Sequence, residues 1–220
     1  MKSSQIPFDL GVRSALDRQD FFVHDSNRQA VSWLDKWPTW PSKALFIHGP
    51  SGCGKSHLVS VFATRAQAVM LEPSHQKSLH PVELADRHQA IVCDGIGQKL
   101  EEEFLLHMFN AAHEAGKYLL FADCSPAARW NISLPDLQSR MTSIPSVRMF
   151  EPDEIAMSAV LIKLFNDRQL IITPELVSFI INRIPRTFSA VQMFVEKVDR
   201  EALAQKSKIT IPLAKQIIEA

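Results

Sequence analysis

No stretch of this 220-residue chain approaches the roughly 18 consecutive apolar residues that a membrane-crossing helix needs. The opening residues, Met1-Lys2-Ser3-Ser4-Gln5, lack the apolar core of a secretory leader. Cysteine is scarce. Cys53, Cys93 and Cys124 are too few and too scattered for a disulfide framework, and two of them sit in apolar runs as buried thiols would. A reducing, cytoplasmic compartment is the expectation. An excess of one charge is also missing, since 24 basic residues balance 24 acidic ones. A chain that held nucleic acid by charge alone would be strongly basic. There is no internal repeat and no low-complexity segment.

What remains is ordinary globular material, 46% hydrophobic and 22% charged, enough for one domain with a small satellite. Residues 1–12 carry Pro7 and Gly11 without helical period and read as an arm. Residues 26–37 place Ala30, Val31, Leu34 and Trp37 at helical spacing, with Trp33 one turn before Trp37, and Pro38 and Pro41 end that helix. Five short apolar runs follow, at 43–48, 69–71, 90–93, 118–122 and 146–150. Helical patterns alternate with them, at 55–66 and at 101–115, where Glu101, Glu102 and Glu103 suit the positive end of the dipole. This predicts an α/β body over 13–150 with a five-stranded parallel sheet flanked by helices. From 151 to 220 the pattern turns helical, and a small α-helical lid is predicted there. Its helices are marked by Ile155, Ala159, Ile162 and Leu164, then by Leu176, Phe179, Ile180 and Ile184 behind Pro174. Val191, Phe194, Val195, Val198 and Leu203 mark a third; Lys208 to Ile211 reads as a short β-like piece, and Pro212 opens the last helix.

The chemistry lies between the first run and the helix after it. Gly49-Pro50-Ser51-Gly52-Cys53-Gly54-Lys55-Ser56 satisfies G-x-x-x-x-G-K-[ST] and stands between strand and helix as that motif requires. Glycines let successive backbone N–H groups turn inward onto phosphate oxygens, and the helix N-terminus adds partial positive charge. Lys55 is expected at the outer phosphates and Ser56 on Mg2+. A second metal ligand is expected at the end of a neighbouring strand, where Ala90-Ile91-Val92-Cys93 runs into Asp94. The next position, Gly95, offers no base to orient a water, so intrinsic hydrolysis is expected to be slow. The eight histidines show no ligand spacing, and the tryptophans read as core packing.

Taken together, a P-loop body followed by a helical lid resembles the AAA+ layout, and the segments resemble the DnaA/Hda family within it. Phe22-Val23-His24-Asp25-Ser26-Asn27-Arg28-Gln29-Ala30 resembles the family segment that borders the adenine, which implies Val23 and Asn27 in the site. Leu45-Phe46-Ile47-His48-Gly49 and Lys55-Ser56-His57-Leu58 match closely, adding His57. Ala122-Asp123-Cys124-Ser125-Pro126 resembles the first sensor segment. Leu134 to Met141 resembles the segment with the arginine finger, so Arg140 takes the catalytic role. Residues 207–215 resemble the family's closing segment. At the position of the family's second-sensor arginine stands Ser189; either Arg186, one turn earlier, replaces it, or that nucleotide contact is lost.

The resemblance implies ADP or ATP with Mg2+ as ligands. The chain stops after the lid, where DnaA continues into a sequence-specific DNA-binding domain. Gln5, Ile6, Pro7, Phe8 and Leu10 resemble a peptide that docks on the DNA polymerase sliding clamp (its beta subunit), apolar anchors in a groove and Gln5 at the rim. The implied function is negative regulation of replication initiation: on the clamp, the chain stimulates ATP hydrolysis by DnaA, with Arg140 offered in trans. Self-association into a homo-oligomer through the nucleotide face fits the same resemblance. An autonomous AAA+ ATPase, such as a helicase loader or transposition helper, is the alternative, and rapid turnover by the chain alone would mark it.

Overall fold

The computed structural model describes residues 22–95, 99–205 and 209–219. Gln5, Ile6, Pro7, Phe8 and Leu10 lie outside the described residues.

The central strands form where four or five apolar residues run together, because such a run is buried on both faces of a parallel sheet, and shorter strands flank them. The strands are β1 (Ala44–His48), β2 (Val69–Met70), β3 (Ala90–Asp94), β4 (Tyr118–Asp123) and β5 (Ser146–Arg148). All neighbours pair parallel, in the order β2-β3-β4-β1-β5. Alternate residues feed opposite faces. Leu45, Ile47, Val92, Leu120 and Val147 join one core with α1 (Arg28–Asp35) and α2 (Lys55–Ala66). Phe46, Ile91, Cys93, Leu119 and Phe121 join the other, under α4 (Pro81–Arg87), α5 (Glu102–Glu114) and α6 (Pro135–Ser143). Each fully buried side chain of this size contributes about 1.5–3 kcal/mol relative to exposure. Trp40 is buried and stacks on Phe62 at 5.3 Å.

The helices α3 (His75–Ser78) and α4 between β2 and β3 have no counterpart in the sequence reading. His80 caps α4, accepting from the Val82 N–H, and Pro81 stands at its first turn. Beyond β5 come α7 (Glu154–Asp167), α8 (Pro174–Ile181), α9 (Phe188–Gln205) and α10 (Ile211–Glu219), with a core of their own. Asp153 caps α7 through Ala156 N–H at 2.7 Å, and Thr173 caps α8 ahead of Pro174.

Three details correct the sequence reading. Ile211 begins α10, and no described residue of that stretch is a strand. Ile155 is 67% exposed, while Ala156, Met157, Leu161 and Phe165 form the buried stripe of α7. Leu203 is 72% exposed, and Ala202 takes its place in the core. Among the described residues no helix is long and apolar enough to cross a membrane.

Candidate functional site

The turn between β1 and α2 is shaped by its glycines. Gly52 has φ +76° and Gly54 has φ +97°, conformations that side chains with a Cβ rarely adopt. Gly54 also caps α2, so the first turn of that helix opens directly onto the loop. Lys55, its first residue, is only 7% exposed. Its Nζ donates to the carbonyl oxygens of Gly49 and Pro50, both at 2.8 Å. Two thiols flank the same ammonium, Cys53 Sγ at 3.8 Å and Cys124 Sγ at 4.0 Å. Burial pushes the Cys53 thiol up, and the Lys55 charge pulls it part of the way back.

This loop forms one wall of a cavity of about 840 Å³. Ser51 to His57 line it, with Asp94 and Gly95 from the end of β3 and Asp123 and Cys124 from the end of β4. Phe22 and Asn27 close one side. The opposite wall is helical: Ala159, Val160, Lys163, Leu164 and Asp167 of α7, and Phe188, Ser189 and Gln192 of α9. The loop and the lid touch directly. Phe188 N–H donates to Gly52 O at 2.9 Å, and a Cβ on Gly54 would come within 3.2 Å of the Phe188 ring.

The segment before α1 is tied down by its own polar groups. Asn27 Nδ2 donates to Phe22 O and Asn27 Oδ1 accepts from His24 N–H, each at 3.0 Å. His24 is buried, stacks against Phe22 and meets Phe188 edge-on at 5.6 Å. Burial depresses its protonation, against the pull of Asp153 and Asp25. His48, ending β1, is depressed by burial and then by Arg148, Arg129 and Lys55.

The expected residues fall into three groups. Asn27, Ser51, Gly52, Cys53, Gly54, Lys55, Ser56, His57 and Asp94 meet around one cavity. Val23 and Pro50 are not among the lining residues: Val23 packs on the core, and Pro50 contributes its carbonyl to Lys55. Arg186 is not among them either, and its guanidinium pairs with Glu154 at 2.7 Å. Arg140 stands apart, on the last turn of α6. Its Nε is 3.3 Å from Asp136, and its guanidinium lies over the Phe109 ring at 5.7 Å. The carboxylate of Glu102 accepts from Ser133 and Leu134 N–H and so fixes the entry to that helix.

The sequence reading missed the α7 contribution, whose signal was a second apolar stripe on a helix already supplied with one. Loop, glycines, lysine, hydroxyl and carboxylate thus line one cavity, with the donor types that a polyphosphate and a metal would need. Among the described residues no three His, Cys, Asp or Glu side chains cluster to hold a metal unaided.

Comparison with known proteins bears on the second half of the chain first. Residues 154–218 match the family model described as "Hda, lid domain". That segment is therefore similar to the Hda lid. The body agrees in fold: domain III of the Thermotoga maritima replication initiation protein DnaA superposes with TM-score 0.75 at 17% identity, covering 90% of this chain and 93% of that one. DnaA from Aquifex aeolicus, in a structure bound to AMPPCP, gives 0.69 at 16% identity, covering 81% of this chain and 63% of that one. The branch-migration motor RuvB of Thermotoga maritima gives 0.65 at 14%, covering 88% and 67%. The chain thus shares the fold of DnaA domain III, and its residues 154–218 are similar to the Hda lid.

Proposed function

We propose that the chain is a nucleotide-binding regulator of replication initiation that acts on DnaA. The observation that carries the binding half is the seating of Lys55. It is buried at the mouth of α2, beside two left-handed glycines, in a cavity that also holds Ser56 and Asp94. ADP or ATP is the ligand this arrangement suits: backbone N–H groups and the Lys55 ammonium receive the phosphates. Ser56 and Asp94 would hold Mg2+ together with phosphate oxygens, and the metal would supply charge neutralisation there. Phe22, Asn27 and the apolar face of α7 offer a flat slot for a base. Gly95, with φ +61° and no side chain, provides no base for water, which supports slow hydrolysis by the chain alone.

The regulatory half rests on the Hda-type lid and the placing of Arg140. Arg140 is outside its own chain's cavity, held by Asp136 and Phe109 on a helix that Glu102 anchors. A guanidinium so presented is suited to another subunit's nucleotide, where it can raise hydrolysis by roughly three to five orders of magnitude. Gln5, Ile6, Pro7, Phe8 and Leu10 would dock on the sliding clamp and bring DnaA within reach. The test is ATP hydrolysis by DnaA on clamp-loaded DNA, with the intact chain, Arg140→Ala, and Gln5→Ala/Phe8→Ala. Both variants should lose stimulation, the first while still binding the clamp. Full stimulation by Arg140→Ala would refute the role in trans, and rapid turnover without DnaA would favour an autonomous ATPase.

A further inference from the structure

We infer that Cys53 and Cys124 are a peroxide-reactive thiol pair whose disulfide shuts the phosphate end of the cavity. The inference rests on the nucleotide reading only for its consequence, since the pair itself is given by geometry. Cys53 belongs to the loop after β1 and Cys124 to the end of β4, and both sulfur atoms lie against the Lys55 ammonium, at 3.8 and 4.0 Å. The two strands are hydrogen-bonded neighbours, with His48 opposite Asp123, so the loop that carries Cys53 and the residue Cys124 both leave the same edge of the sheet. The two thiols differ in access. Cys124 is exposed at the cavity and Cys53 is 1% exposed beneath the loop. That division suits a reacting thiol and a resolving one. Cys93 lies in the core on the other face of the sheet and serves as an internal control.

The chemistry balances with a peroxide as oxidant. The Cys124 sulfur attacks the peroxide O–O bond, takes one oxygen and becomes a sulfenic acid, and the other oxygen leaves as water or alcohol. The Cys53 sulfur then attacks the Cys124 sulfur, the S–O bond breaks, and the hydroxyl departs as water with the Cys53 proton. Two thiols are oxidised and one O–O bond is reduced. The new S–S bond joins the loop to the end of β4 at the place where both sulfurs now touch the Lys55 ammonium. The ammonium is forced from that place and the glycine turn is fixed in a closed form, so phosphate loses its main cation.

The test treats the full chain with hydrogen peroxide, maps thiols by mass spectrometry, and measures binding of a fluorescent ADP before and after. A Cys53–Cys124 disulfide is expected, reversed by dithiothreitol. If about one chain in ten stays open at equilibrium, apparent affinity falls about tenfold. Cys93→Ala should keep the response; Cys124→Ser and Cys53→Ala, each compared with its own untreated form, should lose it. Absence of that disulfide, or its formation with unchanged ADP affinity, overturns the inference. A reduced chain that binds no ADP would instead sink the nucleotide reading, while the mass measurement still decides the pairing.

Discussion

The backbone N–H of Phe188, first residue of α9, donates to the carbonyl oxygen of Gly52 in the phosphate loop. The contact is close enough that a Cβ on Gly52 would stand 2.6 Å from Thr187 Cβ and 2.9 Å from Ser189 Oγ. Gly52 is therefore needed for its positive φ and for the approach of the lid. Gly52→Ala is expected to cost about 2 kcal/mol, the left-handed penalty with the clash added. Urea unfolding checks it, and a change within about 0.5 kcal/mol would show that the lid does not press on the loop.

Lys55→Ala should weaken ADP binding about ten- to a hundredfold, the loss of one or two charge-assisted hydrogen bonds. Calorimetry measures this directly. Unchanged affinity would remove the phosphate assignment altogether.

His24 and His48 make stability depend on acid. Both hold fewer protons folded than unfolded, because burial is the largest cause in each case. Their contribution is fully present above the ordinary value of 6.5 and fades as pH falls from there through the lowered folded value. The urea midpoint should therefore drop as pH falls below 6.5, and drop less in His24→Leu. An equal drop in that variant would clear His24 of any part.

Arg186 is engaged elsewhere, with Glu154. If it also serves phosphate, the pair must open first. Glu154→Gln should then raise ADP affinity a few-fold, since an exposed pair of this kind is worth only about 0.2–1 kcal/mol. No change in affinity would mean that Arg186 plays no part in the cavity.

Glu102 positions Arg140 at a distance by holding Ser133 and Leu134. Glu102→Ala is expected to cost about 1–2 kcal/mol and to reduce stimulation of DnaA without touching ADP affinity. Loss of ADP binding in that variant would point to a general folding defect instead.

The sheet was legible because its three central strands, β3, β4 and β1, are apolar runs buried on both faces, as the middle of a parallel sheet requires. The loop was legible because Gly52 and Gly54 stand where the chain takes a positive φ that residues with a Cβ rarely adopt. The second helical wall was not. α7 is apolar around most of its circumference, so Ile155 looked like core and Ala159 and Leu164 looked like packing, although the latter two face the cavity. Periodicity reports that a face is apolar; it does not report which neighbour covers it. α3 and α4 escaped for another reason: they are four and seven residues long, too short for a repeating stripe, and the start of α4 depends on His80 and Pro81. Arg186 shows the same limit for charge, since spacing could suggest its nearness to phosphate but could not reveal Glu154 thirty-two positions away.

Between the last residue of β5 and the first of α7 there are only five residues, 149 to 153, and Met149 and Pro152 among them are buried. So short a joint, with two of its residues buried, leaves the start of α7 little slack from the sheet edge, and because α7 to α10 share one core, any push on α7 is carried by all four helices together.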